Sequence, residues 1–153
     1  MAIRMTLVLV RQGERVLLGK KKLGLGKGNW NGFGGKVEAG ETLEEAARRE
    51  LTEEAGIIAG ELRKFAEFHF SFADGSFERI AASAFEVREF QGEPRESDEM
   101  LPRWFSLEKI PFDEMWDDDR LWFPLFLSGK SFEGRFVFRK GKVIEHRIEE
   151  RVY

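Results

Sequence analysis

The chain has 153 residues, a formal charge of −3 at neutral pH, no cysteine and two histidines. That length suits one domain over residues 1–153, and the missing cysteines exclude disulfides, thiolate metal sites and cysteine nucleophiles. Two histidines are too few for a histidine-built zinc or iron centre, and the acidic balance argues against nucleic-acid binding. No run of about 18 apolar residues and no leader-like N-terminus is visible, so the expectation is a cytoplasmic monomer acting on a small molecule, away from membranes.

In chain order, residues 3–11 and 14–22 read as two strands about a Gln12-Gly13 turn, and the glycine-rich stretch 23–32 as a loop. A short strand is predicted over 33–37 (FGGKV). Thr42, with Glu45 three residues on, has the pattern of a helix start, and Gly56 that of a helix stop. Residues 61–73 and 77–90 read as a hairpin turning near Asp74-Gly75, with Phe68, Phe70 and Phe72 on one face. A further strand is predicted over 100–107, followed by an irregular stretch. Asp118 or Asp119 would then cap a second helix that contains Pro124. A hairpin of 132–139 and 142–149 closes an α+β arrangement with a mixed sheet and two helices. Fifteen Phe and four Trp stand against a single Tyr. That aromatic load fills a core and can also line a pocket for a flat ligand.

The chemistry concentrates in residues 41–54, with glutamates at 41, 44, 45, 50, 53 and 54. A solvated helix face laced with Arg48 and Arg49 would account for the acidity alone. Spacing argues for more, because Glu50, Glu53 and Glu54 fall within about a third of a turn of one another. Three carboxylates so close repel unless a cation lies among them, and hard oxygen ligands suit Mg²⁺ or Mn²⁺. Arg49, four residues before Glu53, is placed to hold that carboxylate, and the glycines of the preceding loop let backbone approach a metal or phosphate.

The spacing from Gly35 through Glu41 and Arg49-Glu50-Leu51 to Glu53-Glu54 and Gly56-Ile57 resembles the Nudix box at every position. This resemblance implies a Nudix fold, a mixed β-sheet sandwiched between α-helices, with the box as loop–helix–loop. It implies a metal set of Gly34, Glu50, Glu53, Glu54 and Glu99, oriented by Arg49, with Glu41 fixing the loop against the helix. Water would attack phosphorus of a diphosphate, a box glutamate or Glu99 taking its proton. Over nearly its full length the chain is also similar to the MutT-type oxidised-purine nucleoside triphosphatases of animals. The stretches TLVLV (6–10), WNGFGGKV (30–37), ESDEM (96–100) and WFPL (122–125) carry this likeness, with Asp118-Asp119. The substrate set it implies is Thr6, Lys21, Asn31, Gly34, Gly35, Lys36, Phe70, Phe72, Trp116, Asp118, Asp119, Trp122 and Phe138.

The physics of these residue types agrees. Asn31 offers an amide donor and a carbonyl acceptor to a purine edge. Two adjacent aspartates in an apolar pocket do not ionise together, so one pKa should rise; the protonated carboxyl then donates while its neighbour accepts. The chain departs from these relatives at Leu25, where they carry Phe, at Asp117, where they carry Pro, and along the small-residue strand 80–85. The expected activity is Mg²⁺-dependent hydrolysis of oxidised purine nucleoside triphosphates. Methylated purine nucleotides, ADP-ribose and dinucleoside polyphosphates are the alternative substrates. A sensor without catalysis would be expected to lack Glu50, Glu53 or Glu54, and all three are present.

Overall fold

The computed structural model describes residues 1–153. Two long strands open the chain, β1 (Ile3–Gln12) and β2 (Arg15–Lys21), followed by the two-residue β3 (Trp30–Asn31) and helix α1 (Leu43–Ala55). Short β4 (Ile58–Ala59) precedes the hairpin of β5 (Arg63–Phe72) and β6 (Ile80–Val87). Then come β7 (Phe90–Gln91), β8 (Met100–Ser106), helix α2 (Asp119–Leu127) and the closing hairpin of β9 (Phe132–Arg139) and β10 (Lys142–Glu150). No helix is long and apolar enough to cross a membrane.

Eight strands form one sheet in the order β10-β9-β5-β6-β1-β2-β3, with β8 also on β2. The sheet is mixed: β1 with β6 and β5 with β9 are parallel, and the remaining pairs are antiparallel. Side chains alternate across a strand, so each central strand feeds both faces. Val8, Val10, Leu17, Phe85 and Val87 pack under α1 with Ala47 and Leu51. Leu9, Val16, Leu18, Ala82 and Ala84 join the opposite core, where α2 contributes Trp122, Phe123 and Phe126. Phe65 and Phe68 share this second core although they are an odd number of residues apart. A β-bulge between Lys64 and Ala66 resets the alternation.

Helix α1 begins and ends where its sequence says it should. Thr42 accepts from the Glu45 N–H and the Glu45 carboxylate accepts from the Thr42 N–H, while Gly56 closes the helix in the left-handed conformation (φ 71°). Three expectations need correction. The strand predicted over 33–37 is not continuous: only Phe33 and Lys36 bridge to β1. Gly34 passes so close to the Thr6 carbonyl that a Cβ would collide with it, and its N–H turns to Glu54 (2.8 Å) instead of extending a ladder. The loop predicted over 23–32 ends early, because Trp30-Asn31 pairs with β2. At α2, Asp118 occupies the capping position but its side chain does not cap; it accepts from Trp122 Nε1 at 2.8 Å. Strands β4 and β7 pair with each other, and two residues apiece are too few for any periodicity to announce them.

One feature of the sheet positions the site. β1 pairs with β2 only at Val10–Gln12, because β2 runs away with β8 along its whole length. The first half of β1 is therefore left without a strand neighbour on that side. The glycine loop fills the gap, with Thr6 N–H on the Gly35 carbonyl (3.0 Å) and Val37 N–H on the Arg4 carbonyl (3.0 Å).

Candidate active site

Along this split the structure brings together two groups of residues. The first is acidic. Carboxylate oxygens of Glu50, Glu54 and Glu99 lie within 4.8 Å of one another, the first two from α1 and the third from the residue that precedes β8. Glu54 is buried and fixed by the Gly34 N–H. Burial pushes its pKa up to about 8, against that hydrogen bond and with the added repulsion of Glu50 and Glu99. Burial also raises Glu50, opposed by Arg49.

Arg49 is the hub. It binds Glu41 through Nε (2.6 Å) and Nη2 (3.0 Å), Glu50 through Nη1 (2.9 Å), Glu53 (3.3 Å) and the Lys36 carbonyl (3.2 Å). Its proton is held more firmly than usual, chiefly by Glu41. One guanidinium thus ties the loop before the helix to the carboxylates on it. A lysine carries one point charge in place of that fork. Arg49→Lys is accordingly expected to lower kcat/KM by about tenfold or more and to raise the divalent-metal concentration needed for half-maximal rate, read from metal titrations of the rate.

Glu53 stands apart from the tight group, with its side chain 59% exposed and only Arg49 as partner. The Gly35 Cα approaches Glu50 so closely that a Cβ would lie 2.6 Å from Oε1, which explains a glycine there. Lys36 is exposed and lies on the acidic side of the site, its carbonyl on Arg49.

Three carboxylates this close repel one another when ionised, a divalent cation relieves that repulsion, and an all-oxygen donor set fits a hard ion. The residues present therefore suit a hard divalent cation.

The second group is a pocket. Thr6, Lys21, Asn31, Gly34, Phe70, Phe72, Trp116, Asp118, Asp119 and Trp122, all expected at the substrate, line it. Phe138 does not; it is buried behind the wall, stacked on Phe72 (5.6 Å) and edge-to-face with Trp116 (5.5 Å). Part of the hydrogen-bonding capacity of Asn31 is already engaged, since its Oδ1 accepts from the Gly32 N–H (2.8 Å). Sequence reasoning missed Met5, Leu7, Gly32 and Met100, which also line the pocket. Met5 and Leu7 were findable, being two residues apart on a strand and so on one face.

Asp118 and Asp119 are both buried among this apolar wall. Burial raises both carboxyls above the usual range. Asp118 is restrained by the indole N–H of Trp122, whereas Asp119 is driven further up by the charge of Asp118. Of the two, Asp119 is the carboxyl that holds its proton more firmly, because it feels both burial and the neighbouring Asp118 charge. Glu54 and Gly34 line this same pocket, so the paired aspartates and the acidic group are two ends of one cleft.

Residues 2–126 match the family model described as NUDIX domain. The chain is 54% identical over 147 residues to the oxidized purine nucleoside triphosphate hydrolase of Danio rerio, covering 95% of this chain and 94% of that protein. It is 52% identical over 146 residues to the protein of the same name from Mus musculus, covering 95% and 93%. The solved structure of the mutator MutT protein from Bacillus halodurans superposes with a TM-score of 0.85 at 26% identity, over 96% of this chain and 97% of that one. The full-length likeness read from the scattered motifs is borne out, and the chain is a member of the Nudix hydrolase family.

Proposed function

We propose that this chain hydrolyses oxidised purine nucleoside triphosphates, such as 8-oxo-dGTP and 2-hydroxy-dATP, to the monophosphate and pyrophosphate. It would act as a single-domain monomer in the cytoplasm and remove damaged precursors before a polymerase uses them. The observation that carries the reading is the continuity of one cleft, with two buried aspartates at one end and a carboxylate cluster at the other. The relatives' names point to the same substrates.

In this reading Glu50, Glu54 and Glu99 hold Mg²⁺, with Mn²⁺ as a substitute, and Glu53 joins them from the rim with the Gly34 carbonyl. The chemistry a bound Mg²⁺ supplies is neutralisation of charge on the phosphate oxygens and acidification of the attacking water. Arg49 keeps the carboxylates in place, and one carboxylate of the group, a box glutamate or Glu99, takes the proton from water. Lys36 faces the phosphates from the loop. In the pocket, Trp116 stacks on the base, Phe70 and Phe72 flank it, and Thr6 and Lys21 complete the lining. Asp119 donates to the purine edge and Asp118 accepts from it, with Asn31 completing the contact through its amide N–H groups.

The test is pyrophosphate release with Mg²⁺ from 8-oxo-dGTP, 2-hydroxy-dATP, O6-methyl-dGTP, dGTP, dATP and ADP-ribose, compared as kcat/KM. An oxidised purine should exceed its unmodified parent by about tenfold or more, the discrimination that one added or lost hydrogen bond to the base supports. Preference for ADP-ribose over every purine triphosphate would overturn the reading.

A further inference from the structure

Three consecutive aspartates, Asp117 to Asp119, precede and open α2, and only the last two face the cleft. Asp117 points the other way. Its Oδ2 accepts a hydrogen bond of 2.8 Å from the backbone N–H of Val143. Strand β10 is the outer strand of the sheet, so an N–H on its free side has no ladder partner there, and the carboxylate fills that place. The contact sits beside the irregularity between Val143 and Glu145, where the β9–β10 register shifts.

The contact closes a ring of four residues. Val143 is the cross-strand partner of Phe138, and Phe138 braces Trp116 edge-to-face at 5.5 Å and 87°. Trp116 is the chain neighbour of Asp117. The turn that carries both is tied internally by the Asp119 N–H on the Trp116 carbonyl (3.1 Å). Side-chain packing thus sets the indole against β9, and a backbone-directed hydrogen bond fixes the adjacent residue to β10. Phe72, meeting the indole at 6.3 Å and 72°, supplies the second wall. Arg120, 3.9 Å from the other oxygen of Asp117, is half exposed and too distant for a hydrogen bond, so the Val143 contact is the specific one.

We propose that Asp117 is a positioning residue for substrate binding: by hooking the Trp116 turn onto the free edge of β10, it sets the indole at the angle the base requires. The proposal rests on the reading that Trp116 stacks on the base. An aspartate is suited to the task because it offers an acceptor to a backbone donor, and asparagine offers the same acceptor without the charge. Alanine removes both.

The experiment compares Asp117→Ala, Asp117→Asn and Trp116→Ala with the wild type. Binding of 8-oxo-dGMP is measured by calorimetry, and KM and kcat for 8-oxo-dGTP at saturating Mg²⁺. Both Asp117 variants lose the charge beside Asp118, so the difference between them reads the hydrogen bond alone. Asp117→Ala is expected to bind about tenfold more weakly than Asp117→Asn, with KM rising in parallel and kcat changing far less, the scale of one hydrogen bond lost from a positioned group. Thermal melting checks that each variant is folded. If Trp116→Ala binds like the wild type, the stacking reading fails and this proposal with it. If Trp116→Ala is weak but the two Asp117 variants are alike, stacking stands and the hook alone is overturned.

Discussion

Replacing Glu54 by Gln is expected to lower kcat by about three orders of magnitude and to leave binding of the nucleoside monophosphate product close to wild type. Glutamine keeps an oxygen where the Gly34 N–H needs an acceptor, so the loop that closes the split sheet should stay in place. What the variant loses is a carboxyl that can ionise against a bound cation and accept a proton, at the place where the cleft meets the acidic group. The fold should not suffer. Burial raises the Glu54 pKa to about 8, so ionising it in the folded chain is unfavourable at neutral pH and a neutral isostere removes that cost. Melting temperature of Glu54→Gln at or above the wild-type value, with turnover nearly abolished, would separate catalysis from stability. Glu53→Gln should reduce turnover in the same direction, although its exposed side chain owes its placement to Arg49 alone. Near-normal turnover in both variants would mean that the chemistry is done elsewhere.

The acidic end was readable in the sequence because it is local. Thr42, Glu45 and Gly56 mark the limits of α1, and within a helix of known limits the angular positions of Glu50, Glu53 and Glu54 follow from 3.6 residues per turn. Spacing alone did not separate Glu53, on the rim, from Glu50 and Glu54, which face inward; that depends on which side of α1 meets the sheet. Glu99 lies 45 residues from Glu54, and no local pattern links them. Its position comes from β8 pairing with β2 beside the glycine loop, a fact of topology that only the likeness to relatives anticipated. Gly34 and Gly35 misled the strand reading over 33–37 for a related reason. Their β-like surroundings suggested a ladder, whereas lack of a Cβ serves close approach to Thr6 and Glu50. Asp118 misled in the opposite direction: an acidic residue before a helix favours a cap, but here the indole of Trp122 one turn later takes the carboxylate inward.

Asp119→Asn is expected to shift the ratio of kcat/KM between an oxo-purine and an amino-purine triphosphate by about a hundredfold, leaving the Mg²⁺ dependence of the rate unchanged. The reason is the shared proton. Burial and the charge of Asp118 raise the Asp119 carboxyl further than its neighbour, so a pair that shares one proton would donate from the Asp119 side and accept on the other, and would exchange those roles when the proton moves. An amide at 119 donates permanently and cannot give its proton away, which favours one purine edge over the other. Stability against pH gives an independent reading of the same group. Its folded pKa lies above its unfolded one, so between those values the folded chain binds the extra proton. Stability is then greatest below the unfolded carboxylate range and falls as pH rises towards the raised folded value. Removing this titration should make Asp119→Asn gain on the wild type in melting temperature as pH is raised from about 4 through neutrality, the span that opens at the unfolded aspartate pKa. A parallel pair of melting curves, or unchanged purine preference in both Asp119→Asn and Asp118→Asn, would remove the paired-aspartate mechanism. A change in preference without a change in metal dependence would place recognition and hydrolysis at separate ends of the cleft, joined through Glu54.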